Sequence, residues 1–322
     1  NPPGHYTKGH HMKHTVAGIS RRTFIKSVCS LSLAIMLSPS ALLAKTLPPI
    51  RKAIPGTGER LPVIGMGTSR TFDAGDDERA RGRLLEVLQA FFDHGGAVID
   101  SSPMYGSAEQ VTGDLLRRVH NKEALFAATK VWTWGKQDGI RQMQRSAQRM
   151  GVKRFDLMQI HNLRDWQVQL ETLKTWKAEG KIRYIGITTS HGRDHQELET
   201  LMRTEAFDFV QFSYNIKNRV AEQRLLPIAK ERGMATFINR PFQRGNLFQA
   251  VKGKSLPDWA SEFDCDSWAQ FFLKFVVSHP AVTCAIPATS KVHHMIDNMA
   301  AGFGRLPDAA LRDRMVKHLE SL

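Results

Sequence analysis

Leu84-Leu85-Glu86-Val87-Leu88-Gln89-Ala90-Phe91-Phe92-Asp93-His94-Gly95-Gly96-Ala97-Val98-Ile99-Asp100 changes hydrophobic period within a few residues. Across Asp77 to His94 the apolar positions Leu84, Leu85, Leu88, Phe91 and Phe92 fall at helical spacing. Gly95-Gly96 ends that pattern, because glycine closes a helix readily. Ala97-Val98-Ile99-Asp100 then reads as a short buried strand with an acid at its end.

The same alternation runs outward in both directions. Ser107-Ala108-Glu109-Gln110 predicts a capping box for a helix reaching about Val119, and Ala124 to Thr129 predicts a strand. Helices marked by Ile140, Met143, Ala147 and Met150, and by Trp166, Leu170, Leu173 and Trp176, precede strands at Asp156–Ile160 and Ile182–Ile187. Helices at Leu198–Met202, at Val220–Arg232 and around Trp268, Phe271, Phe272 and Phe275 precede strands at Phe207–Phe212, Ala235–Ile238 and Val282–Ile286. With Val63-Ile64-Gly65-Met66 as the first, these make eight strands. Units of roughly 25–35 residues predict an α/β chain folded as a (β/α)8 TIM barrel. Ala53 to Leu61, with Gly56 and Gly58 at a turn, predicts an N-terminal β-hairpin across the barrel floor; the last residues form a C-terminal loop and helix extension. A doubly wound Rossmann sheet is the competing architecture, but no GxGxxG follows any strand. Arg244 to Phe263 is expected as an irregular loop over the mouth.

The chain has 322 residues, 42% hydrophobic and 24% charged, which are globular values. No apolar run approaches the roughly 18 residues that would span a bilayer, so no transmembrane helix is expected. The formal charge is +14; residues 1–44 hold five basic residues and no acid, leaving +9 on the remainder. No helix-turn-helix, zinc finger or stacked-aromatic motif accompanies that charge, so nucleic acid is not an expected partner. Cys265 and Cys284 lack CxxC spacing and read as core thiols; no metal site is expected.

Ser20-Arg21-Arg22-Thr23-Phe24-Ile25-Lys26, the apolar stretch Val28 to Leu37 and the small-residue end at Ala44 are the three parts of an export signal. The paired arginines with Phe24 and Lys26 resemble the twin-arginine consensus. The expected organisation is therefore 1–11 as a non-native or over-extended N-terminus ahead of Met12, 12–44 as a twin-arginine (Tat) export signal, and 45–322 as one barrel domain. The Tat translocation machinery is an expected partner of the leader, and the periplasm the expected location.

Barrel enzymes work at the C-terminal ends of their strands. Those ends read Asp100, Lys130, His161 and Gln211 in order, with Tyr105 five residues after Asp100. Here the chain resembles the aldo-keto reductase family. The resemblance lies in Val98 to Gly106, Ala128-Thr129-Lys130, Asp156 to His161, Gly180 to Gly186, Gln211 to Asn215 and Ile286 to Ser290, and covers about residues 54–302. It implies a catalytic tetrad of Asp100, Tyr105, Lys130 and His161 and a small-molecule carbonyl substrate. Reduced nicotinamide would deliver hydride, Tyr105 would give the proton, and Lys130, held by Asp100, would bring the phenol pKa down from about 10. His161 would orient the carbonyl.

For the cofactor the resemblance points to Thr188, Thr189 and Gln211 at the nicotinamide carboxamide. It points to Asn239, Arg240, Pro241, Phe242, Gly245 and Leu247 after the seventh strand, and to Thr289, Ser290, Lys291, His294, Asp297 and Asn298 beside the adenosine. Asn239 stands where the family often has a stacking aromatic, and His294 where an arginine is usual. The family preference favours NADP(H) over NAD(H). Two other readings compete: a nicotinamide-binding sensor or subunit with little turnover, and a Schiff-base aldolase using the barrel lysine. Loops at Val131-Trp132-Thr133-Trp134 and near Trp259 are expected to line the substrate pocket.

Overall fold

A computed structural model describes residues 48–322. The residues read as an over-extended N-terminus and as an export signal lie outside that range. A hairpin of β1 (Arg51–Ala53) and β2 (Arg60–Pro62) pairs antiparallel and leads into an eight-stranded parallel sheet. The sheet runs β3 (Met66–Gly67), β4 (Val98–Asp100), β5 (Phe126–Val131), β6 (Phe155–His161), β7 (Ile182–Thr188), β8 (Phe209–Ser213), β9 (Ala235–Asn239) and β10 (Cys284–Ala285), each beside the next. An Ile64–Ala285 bridge, with Gly65 N donating to Ala285 O at 2.8 Å, joins the first strand to the last. The barrel is the expected one, without a Rossmann reversal of strand order.

Outside the strands lie α1 (Glu78–Asp93), α2 (Ala108–Leu116), α3 (Lys136–Met150), α4 (Trp166–Ala178), α5 (His195–Thr204), α6 (Leu225–Glu231) and α7 (Asn246–Ala250). They are followed by α8 (Trp268–Ser278), α9 (Val292–Ala300) and α10 (Ala309–Glu320), the last of which is the expected C-terminal extension. Asp77, Ser267 and Asp308 accept from backbone N–H groups at the starts of α1, α8 and α10, the caps that short polar side chains supply.

Strand alternation segregates two cores. Outward-facing Ile99, Ala127, Met158, Ile160, Ile185, Ile187, Val210 and Phe212 pack under the helices. Inward-facing Val98, Phe126, Ala128, Leu157, Tyr184, Phe209, Ala235, Phe237, Cys284 and Ile286 fill the lower barrel together with Ile54 and Leu61 of the hairpin segment. The Phe126, Tyr184, Phe209 and Phe237 rings meet at centroid distances from 5.0 to 6.2 Å. The hairpin is pinned there by Lys52, whose Nζ donates to the carbonyls of Val277, His279 and Val282 at 2.7, 2.8 and 2.7 Å.

Three local expectations are corrected. Ser107 does not cap α2: its hydroxyl donates to Asp73 Oδ1 at 2.8 Å, and the helix stops at Leu116. Arg244 to Phe263 is not irregular, since α7 and a 3-10 helix at Asp258–Phe263 occupy much of it. Trp259 does not line the mouth; its ring packs against Phe263, Phe271, His318 and Arg314 on the outer side of the barrel. Cys265 and Cys284 are both buried and unbridged. Among the described residues no helix is long and apolar enough to cross a membrane, and no group of three or more His, Cys, Asp or Glu is placed to hold a metal.

Candidate active site

Two residues above the apolar layer, the same inward positions become polar. Val98 gives way to Asp100, Ala128 to Lys130, Leu157 to Gln159 and then His161, Gly186 to Thr188, and Phe209 to Gln211 and then Ser213. Register sets Lys130 beside Gln159, His161 beside Thr188, and Thr188 beside Gln211. A ring of hydrogen-bonding groups thus crowns the barrel.

Lys130 is fully buried at its centre. Its Nζ donates to Asp100 Oδ2 at 2.6 Å and to Ser101 O at 2.7 Å, and lies 5.3 Å from the Tyr105 ring centroid. The second oxygen of Asp100 accepts from Gln159 Nε2 at 2.9 Å. Gln159 reaches it because residue 186 is glycine: a Cβ there would stand 2.8 Å from Gln159 Cγ. Burial works against the lysine charge, but Asp100 and Tyr105 outweigh it and hold the ammonium above its ordinary 10.5.

Tyr105 sits in the turn after β4, which is closed by Tyr105 N donating to Ser102 O at 3.0 Å and anchored by Ser107 on Asp73. Its acidity departs from the expectation. Burial pushes the phenol above its ordinary 10.0; Lys130 pulls it down, and Asp100 pushes it back up. Lys130 shares its charge with Asp100, so the pull of the ammonium loses to desolvation.

His161 Nδ1 lies 2.9 Å from Ser102 Oγ. That hydroxyl also accepts from Met104 N at 3.4 Å, and when it donates to Nδ1 the imidazole N–H stands on Nε2. Burial, then Lys130 and Arg164, hold His161 well below its ordinary 6.5, so the ring is neutral at neutral pH. It meets Tyr105 edge-on, with centroids 5.9 Å apart. The structure therefore brings Asp100, Tyr105, Lys130 and His161 together in one cluster.

The neighbouring wall has the donor set for a carboxamide. Thr188, Thr189 and Gln211 are buried, and Thr189 Oγ1 and Gln211 Nε2 have no partner among the described residues. An unpaired buried polar atom costs about 1–3 kcal/mol, so this pair fits a nicotinamide carboxamide, which offers one acceptor and one donor group. Asn239 is a brace here: Oδ1 accepts from Ser213 Oγ at 2.6 Å and Nδ2 donates to Thr189 O at 3.0 Å.

Beyond it, Arg240 lies in a cluster with Arg244, Arg70 and Arg193. Burial and then the charges of those three arginines hold the Arg240 guanidinium below its ordinary 12.5. None of the four has a carboxylate within 4.0 Å among the described residues. Arg240, Gln243, Arg244 and Gly245 carry positive φ of 55°, 49°, 58° and 95°, which curls this loop tightly. Concentrated positive charge on a folded rim suits an anion such as a pyrophosphate. Ser290, Lys291 and His294 are exposed around the start of α9, whose first N–H groups have no side-chain cap.

Several predicted cofactor residues are placed otherwise. Leu247 is fully buried in the outer core, Pro241 is buried, and Phe242 packs on Phe248 with centroids 4.9 Å apart. Asp297 accepts from Ser267 and Gln270 at 2.8 Å, so its carboxylate braces the start of α8. Thr289 Oγ1 accepts from Lys291 N at 3.2 Å, and Asn298 is buried. Gln159, Ser102 and Ser213 join the site although the motif reading assigned them no role. A lone glutamine at an inward position of an otherwise apolar strand was the available signal for Gln159.

Comparison with known proteins agrees with the barrel fold. Methylglyoxal reductase YeaE of Escherichia coli (strain K12) is 29% identical over 248 residues, covering 74% of this chain and 85% of that protein. An aldo/keto reductase of Klebsiella pneumoniae, solved in complex with NADP and acetate, superposes with a TM-score of 0.70 at 25% identity, over 83% of this chain and 95% of that one. A second Klebsiella pneumoniae aldo-keto reductase, solved with NADPH, shares the fold at a TM-score of 0.69 and 24% identity, over 85% of this chain and 96% of that one. The family model described as "Aldo/keto reductase family" matches residues 63–313. With the barrel, the buried lysine–aspartate pair and its tyrosine in place, the chain belongs to the aldo/keto reductase family of oxidoreductases.

Proposed function

We propose that the protein reduces an aldehyde or ketone to an alcohol with NADP(H), reversibly, with Tyr105 as the general acid. The observation that carries this reading is Lys130, clamped by Asp100 on one side and facing Tyr105 on the other, with Gln211 Nε2 buried without a partner on the same end of the barrel. Reduced nicotinamide, when bound, supplies the hydride. Tyr105, kept protonated by burial, holds the proton that the developing alkoxide takes, and Lys130 stabilises the phenolate left behind. His161, neutral with its proton on Nε2, donates to the substrate oxygen and steadies it as charge builds. Thr189 and Gln211 would hold the carboxamide. Arg240, Arg244, Arg70 and Arg193, with Lys291, would hold phosphates. This charge supports NADP(H) over NAD(H), and a lower Kd for NADH than for NADPH would reverse that preference.

The test is Tyr105→Phe. Multiple-turnover NADPH oxidation with small 2-oxoaldehydes, the class that the Escherichia coli relative's name suggests, should fall to background while NADPH fluorescence titration still shows binding. Undiminished turnover refutes the role of Tyr105. A single oxidation of prebound cofactor in the wild type would favour a sensor, and borohydride trapping of substrate on Lys130 a lyase.

We also read residues 12–44 as a Tat signal that carries the protein to the periplasm, on the Arg21-Arg22 motif and the apolar run behind it. Replacing both arginines by lysine should retain the protein in the cytoplasm on fractionation; unchanged export would refute the assignment.

A further inference from the structure

The loop after β6 is built in an uncommon way. Asn162, Leu163 and Asp165 all hold left-handed backbone, with φ of 52°, 54° and 51°. Side chains with a Cβ avoid that region, and such conformations gather where surrounding structure imposes them for a purpose. Here they carry Arg164 onto Trp132: its Cζ stands 4.3 Å from the Trp132 ring centroid and 5.7 Å from that of Trp134. Trp132 is itself fixed, because its N–H donates to Gln142 Oε1 at 2.6 Å and its carbonyl accepts from Gln142 Nε2 at 3.1 Å. The Trp132 ring lies 6.4 Å from that of His161, so the stacked pair borders the reacting centre.

Charge around this pair is unmatched. Lys130 is neutralised by Asp100, and His161 is neutral. The nearest acid in sequence, Asp165, is turned away, its Oδ2 accepting from Gly135 N at 2.7 Å and from Gln169 Nε2 at 3.3 Å. Arg164 has no carboxylate within 4.0 Å among the described residues, whereas Arg117 and Arg141 elsewhere on the surface each have one and Arg183 has two. A guanidinium placed over an indole can still turn N–H groups outward, and its planar fork matches a carboxylate in a two-point contact.

We propose that Arg164 makes the site selective for aldehydes or ketones that carry a carboxylate, gripping the carboxylate while His161 and Tyr105 hold the carbonyl. This rests on the reductase reading above.

The experiment compares 3- and 4-carboxybenzaldehyde with their methyl esters as substrates of the NADPH-loaded enzyme, in wild type, Arg164→Gln and Arg164→Lys. The wild type should favour the carboxylates in kcat/KM by about tenfold or more, mainly through KM, and added salt should shrink the preference. Arg164→Gln should abolish the preference, and Arg164→Lys should keep part of it, since the charge remains and the fork is lost. Equal use of acid and ester by the wild type, or a preference unmoved in Arg164→Gln, overturns the proposal and leaves the reductase reading intact. Tryptophan quenching by 4-carboxybenzaldehyde in the NADPH-loaded enzyme reads binding without turnover. Binding that Arg164→Gln abolishes, with no turnover of any aldehyde, would uphold the carboxylate site and overturn the reductase reading instead.

Discussion

Replacing Lys130 by methionine removes what is, among the described residues, the only basic partner of a carboxylate that is 2% exposed. The lost contact is 2.6 Å long, and only the neutral amide of Gln159 remains on the other oxygen. Breaking a buried ion pair from one side costs about 3–5 kcal/mol, because the surviving charge stays desolvated. For a domain of this size that corresponds to a fall in Tm of about 6–10 °C. Urea unfolding followed by far-UV circular dichroism would measure it, with Asp100→Asn and the double variant completing a cycle. The double variant should recover much of the loss, since neither charge then stands alone. A Lys130→Met protein within about 1 kcal/mol of wild type at neutral pH, the worth of an exposed pair, would refute the buried-pair argument.

Ser102→Ala should lower kcat about fivefold with little change in KM, since it leaves His161 Nδ1 without the hydrogen bond, worth about 1 kcal/mol, that orients the ring; an unchanged kcat would contradict that role. Gly186→Ala should destabilise the fold by about 1–3 kcal/mol through overpacking against Gln159 and lower activity with it, and denaturant midpoints would show whether it does. His279 is held down at about 4 by burial, then by Arg312, whereas unfolded histidine titrates near 6.5. The unfolded chain therefore binds more protons in between. Stability is full above about pH 6.5 and falls toward pH 4, and that slope should weaken in His279→Gln.

The barrel was legible because hydrophobic period switches between strand and helix at turn residues such as Gly95-Gly96 and Gly233. The four side chains that the resemblance picks out come together because they stand at or just after strand ends, where backbone geometry selects the face they share. Other features depend on competition that sequence does not display. Ser107 had two suitors, the α2 backbone and Asp73, and Asp73 won. Trp259 carried the same composition signal for a pocket wall as for outer packing. The direction in which Tyr105 moves depends on whether burial or Lys130 dominates, a matter of tenths of a nanometre. Gln159 stood in plain view as a polar residue in a strand, but its tie to Asp100 depends on register across β4, β5 and β6.

Most inward rows of the barrel join an apolar tier below to a polar tier above, two residues apart on the same strand. Evolution, or an engineer, can therefore rewrite the upper tier without disturbing the foundations. A library confined to positions 188, 211, 213 and 239 would vary the polar tier while the aromatic pile around Phe209 keeps the scaffold upright. Change at Phe126 or Phe237 would instead reach every upper position at once, since those rings set the spacing of the strands on which the reactive groups ride.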